Sequence, residues 1–255
     1  MITVRDIYNI IDQSAPFGTQ KTWDNSGFLI GDQNQEVTGI LISLDISVNA
    51  LKKAQETGCN LIFSHHPVIF SALKNIYSDT IVYQMIQNHV AAVCCHTPLD
   101  IAQGGINDLI VDKLKLFLEI ENNIEPIEAD GFGRILSLKN SVTLPEFAGI
   151  AKQALACEVV RYSAEYQDKI KKIAICSGSG ASMLEELAGR CDCFLTGDVK
   201  HDRWYKAQEL KIALLDCGHY HTEVIMIPYI AQVLRNAFPE LKIIEFAEGN
   251  PVRYA

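Results

Sequence analysis

The chain is short of histidine, tryptophan and positive charge, and it has no long apolar run. Its 255 residues include 7 histidines and 2 tryptophans, and 22 Lys and Arg face 31 Asp and Glu, for a formal net charge of −9. Proteins that bind nucleic acid through its phosphates usually present a basic surface, so direct nucleic-acid binding is not expected. No stretch of about 18 uncharged apolar residues occurs, so no membrane span is expected. The opening "MITVRDIYNIIDQ" carries charge early and lacks the apolar segment of a signal peptide, which makes the cytoplasm the expected location. The 8 cysteines form no CxxC pair. Cys191-x-Cys193 is followed by Phe194 and Leu195, so it reads as part of a buried strand rather than a metal site.

What is present is an ordinary globular composition, 48% hydrophobic and 21% charged, in a chain long enough for one large domain or two small ones. Residues 3–13 read as a helix capped by Thr3, with Val4, Ile7, Ile10 and Ile11 on one face. Strands are predicted at 39–45, 60–65 and 90–96, with helices at 47–58, 80–89 and 105–116. After an irregular stretch at 120–165, holding turn signals, one strand and a helix that starts near Pro145, the alternation resumes. Strands are predicted at 172–178, 191–197, 211–218 and 241–246, and helices at 182–189, 199–210 and 221–237. Strands alternating with helices imply a mostly parallel sheet covered on both faces. "GCNLIFSHHP" pairs with "RCDCFLTGDV", and "HVAAVCCHTPLD" with "LKIALLDCGHYHTE". The expected fold is therefore α/β, with two similar lobes, each with a mostly parallel central sheet, facing each other. The expected boundaries are 1–119 for the first lobe, 120–165 for a connecting or edge segment, and 166–255 for the second lobe.

Most of the scarce histidines fall at the carboxyl ends of predicted strands. His65-His66 follows one, His96 with Asp100 another, and His219-x-His221-x-Glu223 a third, while Thr196-Gly197-Asp198 ends a fourth. Ligand sites of open α/β sheets lie beyond those ends. Histidine with carboxylates is a donor set for divalent Zn, Mn, Fe, Co or Ni. His219 and Glu223, four apart, share one helix face. Each residue alone has an ordinary reading: Asp100 as a helix cap, His201 as a surface residue near Asp198, and Trp23 to Gly27 as an anchored turn. Their joint placement favours a metal site, and five ligands suit two ions that share a carboxylate.

The motifs "WDNSGFLIG" (23–31), "SHHPVIF" (64–70), "HTPLDIAQGGIND" (96–108), "GFGRI" (131–135), "TGDVKHD" (196–202) and "DCGHYHTE" (216–223) resemble, in the same order, those of a widespread dinuclear-metal family. Its members are called GTP cyclohydrolase type 2 homologues, or Nif-three-like proteins. The resemblance implies a toroidal homohexamer of two-lobed subunits, with two divalent ions per subunit in a cleft that faces an internal cavity. It places the metal ligands at His65, His66, Asp100, His219 and Glu223. Glu223 would bridge the ions, with His66 and Asp100 on one and His65 and His219 on the other. His96, Asp198 and His201 would lie near the cleft as catalytic groups. Longer members insert a domain between the lobes, so this chain resembles the short form. Pro98 stands where the family often has Asn, and Asp202 where it often has His. Neither departure touches a metal ligand.

Two functions fit. The first is a metal-dependent hydrolase of a small molecule, with a nucleotide implied by the family name: GTP would lose formate as its imidazole ring opens. His96 or Asp198 would carry the proton, and Lys200, Arg203 and Arg134 would meet the triphosphate. The second is a metal-binding, metal-delivery or regulatory scaffold protein without turnover. The native metal and the physiological substrate are not written in these residues.

Overall fold

In the computed structural model, which describes residues 1–164, 166 and 168–255, strands and helices alternate as predicted, with shifted ends. The chain opens with α1 (Val4–Ser14), β1 (Gly27–Ile30), β2 (Ile40–Ser43), α2 (Val48–Thr57), β3 (Leu61–Ser64), α3 (Ile81–Gln87), β4 (Ala91–Cys94) and α4 (Thr97–Ile101). It continues with α5 (Ile106–Lys115), β5 (Ile120–Glu125), β6 (Arg134–Val142), α6 (Leu144–Ala154), β7 (Arg161–Tyr162), β8 (Ile170–Ile175), β9 (Cys193–Thr196), α7 (His201–Glu209), β10 (Ala213–Asp216) and α8 (His219–Glu223). It ends with α9 (Met226–Ala237) and β11 (Ile243–Glu245).

Local chemistry sets the helix ends. At α1, Thr3 Oγ1 accepts from the Asp6 backbone N–H at 3.3 Å, and Asp6 Oδ2 accepts from the Thr3 N–H at 2.8 Å. This reciprocal pair satisfies two N–H groups that a helix start would otherwise leave unbonded. At α2, Ser47 caps the start, and Gly58 ends the helix in the left-handed region at φ 70°.

Met1–Gln103 and Val224–Gly249 form one compact unit, and Gly104–Glu223 with Asn250–Ala255 form a second. The first unit holds a five-stranded sheet in the order β1-β4-β3-β2-β11. Its strands β2, β3, β4 and β11 run parallel, and β1 is an antiparallel edge on β4. The second unit holds a six-stranded sheet in the order β5-β6-β8-β9-β10-β7. There β8, β9 and β10 run parallel, and β7 is an antiparallel edge on β10. The two internal topologies therefore match strand for strand over β1-β4-β3-β2 and β7-β10-β9-β8, which is the duplication read from the sequence.

The parallel strands β2, β3, β4, β9 and β10 are buried at every position. Sheets covered by helices on both faces require such continuous apolar strands. In the first unit Leu41, Ile62 and Ala92 pack with Ala50, Leu51 and Ala54 of α2 and Met85 of α3. In the second, Ala174, Phe194 and Leu214 pack with Ala207 of α7 and Leu184.

The unit boundaries differ from the expected 1–119, 120–165 and 166–255. The stretch 120–165 supplies three strands where one was predicted: β5 and β6 extend the second sheet beyond β8, and β7 is its edge on β10. The predicted strand at 241–246 is β11, which pairs with β2 in the first sheet rather than closing the second. The helix predicted at 182–189 is a short 3-10 turn, Ala181–Glu185. The helix predicted at 221–237 is divided into α8 and α9. Pro228 lies in the first turn of α9 and has no N–H to give to the carbonyl of Val224, so one continuous helix loses a bond at that point. No helix among the described residues is long and apolar enough to cross a membrane.

The capping box at α1 gives the first test. Replacing Thr3 with Ala is expected to lower unfolding free energy by about 1 kcal/mol in urea titrations followed by circular dichroism. An unchanged midpoint would show that the cap contributes nothing.

Candidate metal centre

In the first unit, His65 and His66 follow β3 and His96 follows β4, at the carboxyl ends of adjacent parallel strands. The His65–His66 and His65–His96 ring centroids are both 5.1 Å apart, and His66–His96 are 5.6 Å apart. One ring nitrogen from each lies within 4.8 Å of the others, close enough for one ion to hold all three. Asp100, buried in α4, places Oδ2 3.8 Å from His65 Nε2.

A fixed orientation accompanies this clustering. His65 Nδ1 is 2.9 Å from the carbonyl of Cys95, His66 Nδ1 is 2.8 Å from Asp45 Oδ1, and His96 Nδ1 is 2.8 Å from Asp24 Oδ1. A carbonyl can only accept, so Nδ1 of His65 donates and its Nε2 is left as the basic nitrogen. The two carboxylates favour the same tautomer in His66 and His96.

Asp24 belongs to the "WDNSG" stretch, which the sequence reading left as an anchored turn. Its side chain accepts from Ser26 Oγ at 2.8 Å, from the Thr97 N–H at 3.0 Å and from Thr97 Oγ1 at 2.5 Å. Burial alone would raise its pKa, but the bonds from His96, Thr97 and Ser26 outweigh it and hold the carboxyl well below the usual aspartate range. The turn is thus a carboxylate clamp on His96.

The second unit repeats the device. His219 opens α8 after β10, with Nδ1 2.8 Å from Asp198 Oδ2 and Nε2 2.9 Å from Glu223 Oε2, one turn along the same helix. Glu223 is buried, while His219 remains about one-third exposed at its side chain. Asp198 sits in the left-handed region at φ 51°, a conformation that Asp enters more readily than most residues. His221 is buried against Tyr220, and burial lowers its pKa.

Gly178 is the residue that sequence reasoning missed here. Its φ is +59°, and a Cβ placed on it would fall 2.2 Å from Glu223 Oε1 and 3.3 Å from His219 Nε2. The glycine makes room for the acid. Gly197 is similar: a Cβ there would fall 2.7 Å from the backbone N of His219.

Three expected features lie elsewhere. His201 begins α7 and packs its ring against Tyr205, with centroids 5.3 Å apart. Arg134 is no free cation for a triphosphate. It is buried, with Nε 2.5 Å and Nη2 3.0 Å from the two oxygens of Asp108, and Nη1 donates to the carbonyls of Gly131 and Gly133. Arg203 pairs with Asp202 at 3.0 Å and Glu185 at 3.2 Å. The cysteines are all buried as free thiols. Burial pushes the Cys191 thiol up to about 12 and that of Cys193 well up, which agrees with a buried strand and disfavours thiolate ligands.

Two duplicated α/β units, each ending its central strands in oriented imidazoles and carboxylates, define a class of α/β protein with side-chain groups that could hold a metal ion. Residues 2–251 match the family described as Duf34/NIF3 (NGG1p interacting factor 3), and the chain belongs to it. A "GTP cyclohydrolase 1 type 2 homolog" of Campylobacter jejuni is 33% identical over 253 residues, covering 98% of each chain. One of Clostridium acetobutylicum is 31% identical over 250 residues, covering 95% of this chain and 93% of that one. The crystal structure of a Staphylococcus aureus hypothetical protein, SA1388, superposes with a TM-score of 0.87 at 26% identity, covering 99% of both chains.

Two outcomes follow from the clamp and the buried fork. A depressed carboxyl contributes stability that is present above its ordinary value, 3.8, and fades as pH falls towards its lower folded value. Asp24→Asn is therefore expected to unfold at lower urea than the parent at pH 7, with the gap closing on acidification below that value. A gap independent of pH would contradict the assignment. Arg134→Ala, which leaves Asp108 without its main cation, is expected to lose about 3 kcal/mol in the same titration.

Proposed function

We propose that this protein binds two divalent metal ions through His65, His66, Asp100, His219 and Glu223, and uses them to hydrolyse a small molecule. The observation that carries the reading is the common clamp. His65, His66, His96 and His219 each have Nδ1 against a carbonyl or carboxylate, which favours Nε2 as the basic atom in the first three, while Nε2 of His219 lies beside Glu223. Metal-ligating histidines are oriented in this way, and the outer partner raises their basicity. Ordinary surface histidines have no need of it. Imidazole and carboxylate donors without thiolate suit Zn, Mn, Fe, Co or Ni.

Divalent ions bound there would supply Lewis acidity and an activated water near neutral pH. The chain's own groups have separate tasks. Asp45 and Asp198 hold His66 and His219 in place, and the Cys95 carbonyl holds His65. Glu223, buried beside Gly178, would supply a carboxylate ligand next to His219. His96, with Nδ1 donated to Asp24, presents Nε2 as the proton acceptor. Asp198 serves as an orienting group for His219. The name shared by the relatives, GTP cyclohydrolase 1 type 2 homolog, nominates a purine nucleotide whose five-membered ring is opened with loss of formate. A homohexamer is the assembly that the family resemblance implies.

Metal content measured by plasma mass spectrometry after reloading is expected to approach two ions per chain. Asp45→Asn is expected to weaken the affinity about 10- to 100-fold with an unchanged circular-dichroism spectrum. Gly178→Ala is expected to lower the ion count by displacing Glu223. Reloaded protein should release formate from GTP, and His66→Ala should abolish the release. Turnover insensitive to that change would remove the hydrolase reading. Full metal binding with no turnover of any nucleotide or phosphoester would leave a metal-binding or metal-delivery protein.

A further inference from the structure

One cavity of the second unit involves none of the metal-candidate residues. It measures about 800 Å³ and lies between α7 and the segment after β7. That falls within the range of about 300–1,000 Å³ typical of small-molecule sites. Four of its walls are aromatic: Tyr162, Tyr166, Trp204 and Tyr205. We infer that this cavity binds a planar heteroaromatic molecule of about nucleoside size, at a site independent of the metal ions.

The helix explains the wall. His201, Trp204, Tyr205 and Gln208 stand at i, i+3, i+4 and i+7 of α7, so they form one stripe. In a helix lying on a core, such a stripe usually packs inward. Here the residue of α7 that is buried is Ala207, while Tyr205 is 61% exposed and Tyr162, which also lines the cavity, is 44% exposed. Large rings left open to solvent around one cavity suit stacking on a flat ligand.

Trp204 is held ready for that role. It packs against the core that includes Phe194, Ala207 and Leu214, and the Arg161 guanidinium lies 5.7 Å from its ring centroid. Arg161 is in turn ion-paired with the buried Asp216. A ring fixed in this way loses little freedom on binding.

The polar lining sits at the edges, where a heteroaromatic ring carries its donors and acceptors. Gln208 offers an amide, His201 a ring nitrogen and Tyr166 a phenol. Burial and the nearby Asp192 and Asp168 carboxylates push that phenol up to about 12, so it remains a donor. Lys211 follows α7 in the left-handed region at φ 58°, where glycine is the usual residue, and adds a cationic residue to the lining.

The chain's two tryptophans make the test direct. Trp23→Phe leaves Trp204 as the sole indole, so its fluorescence reports this cavity. Titration of the chelator-treated protein with guanosine and adenosine, which carry no phosphate to seek a metal, should quench that emission saturably. Tyr205→Ala and Gln208→Ala, each checked for folding by circular dichroism, should each raise the half-saturation concentration about ten-fold. No saturable quench up to the solubility limit would overturn the inference, as would quenching unaffected by both substitutions. Binding seen only after metal reloading would place the nucleoside at the metal centre and also overturn it. A change of sedimentation in Tyr205→Ala without nucleoside binding would mark the aromatic wall as a contact between copies, with the same consequence. Because the titration omits metal, failure of the hydrolase reading leaves this result untouched.

Discussion

The site depends on one repeated hydrogen bond: Nδ1 of an imidazole held by an acceptor that the fold has fixed in advance. His65 uses the Cys95 carbonyl, His66 uses Asp45, His96 uses Asp24 and His219 uses Asp198. Each bond restrains the rotation of its ring, and at His65 the carbonyl also selects the tautomer. Without it, a histidine after a strand would be a soft surface group with a choice of rotamers. Two of the acceptors are themselves tied down, Asp24 by Ser26 and Thr97 and the Cys95 carbonyl by its place just after β4. The orientation therefore comes from the sheet and its flanking turns rather than from the imidazoles alone.

Duplication accounts for the recurrence. In both units three parallel strands run in the same order, with an antiparallel edge strand beside the last of them. The turn after β3 carries His65 and His66, and the equivalent turn after β9 carries Gly197 and Asp198. The turn after β4 leads to His96, and that after β10 leads to His219. One unit thus places imidazoles where the other places the acid that orients an imidazole. Beyond the shared strands the units diverge, with a parallel β11 added to one sheet and an antiparallel β6 to the other.

The parallel strands and the histidines at their ends were legible in the sequence because buried strands read as unbroken apolar runs, and the residue that ends such a run lies at the sheet's carboxyl edge. Asp24 was not legible, since it acts on His96 from 72 positions away and periodicity carries no trace of that reach. Asp45 and Gly178 were missed for the same reason: their roles exist only once β2, β3 and α8 are in place. Strand β5 escaped because it is an edge strand with mostly exposed residues, so its pattern lacks the apolar run. Strand β11 was recognised as a strand but assigned to the wrong sheet, because the chain's return to its first unit leaves no local mark. The aromatic stripe of α7 has the spacing of a core face and turned out to line an open cavity.

The central claim is that clamped imidazoles are metal ligands. Crystals grown with manganese and measured on both sides of its absorption edge test this most directly. The account predicts anomalous peaks at coordination distance, about 2 Å, from Nε2 of His65 and from Nε2 of His219. Imidazoles in the same Nδ1-bonded orientation with no anomalous density at either Nε2, at saturating manganese and again at saturating zinc, would contradict it.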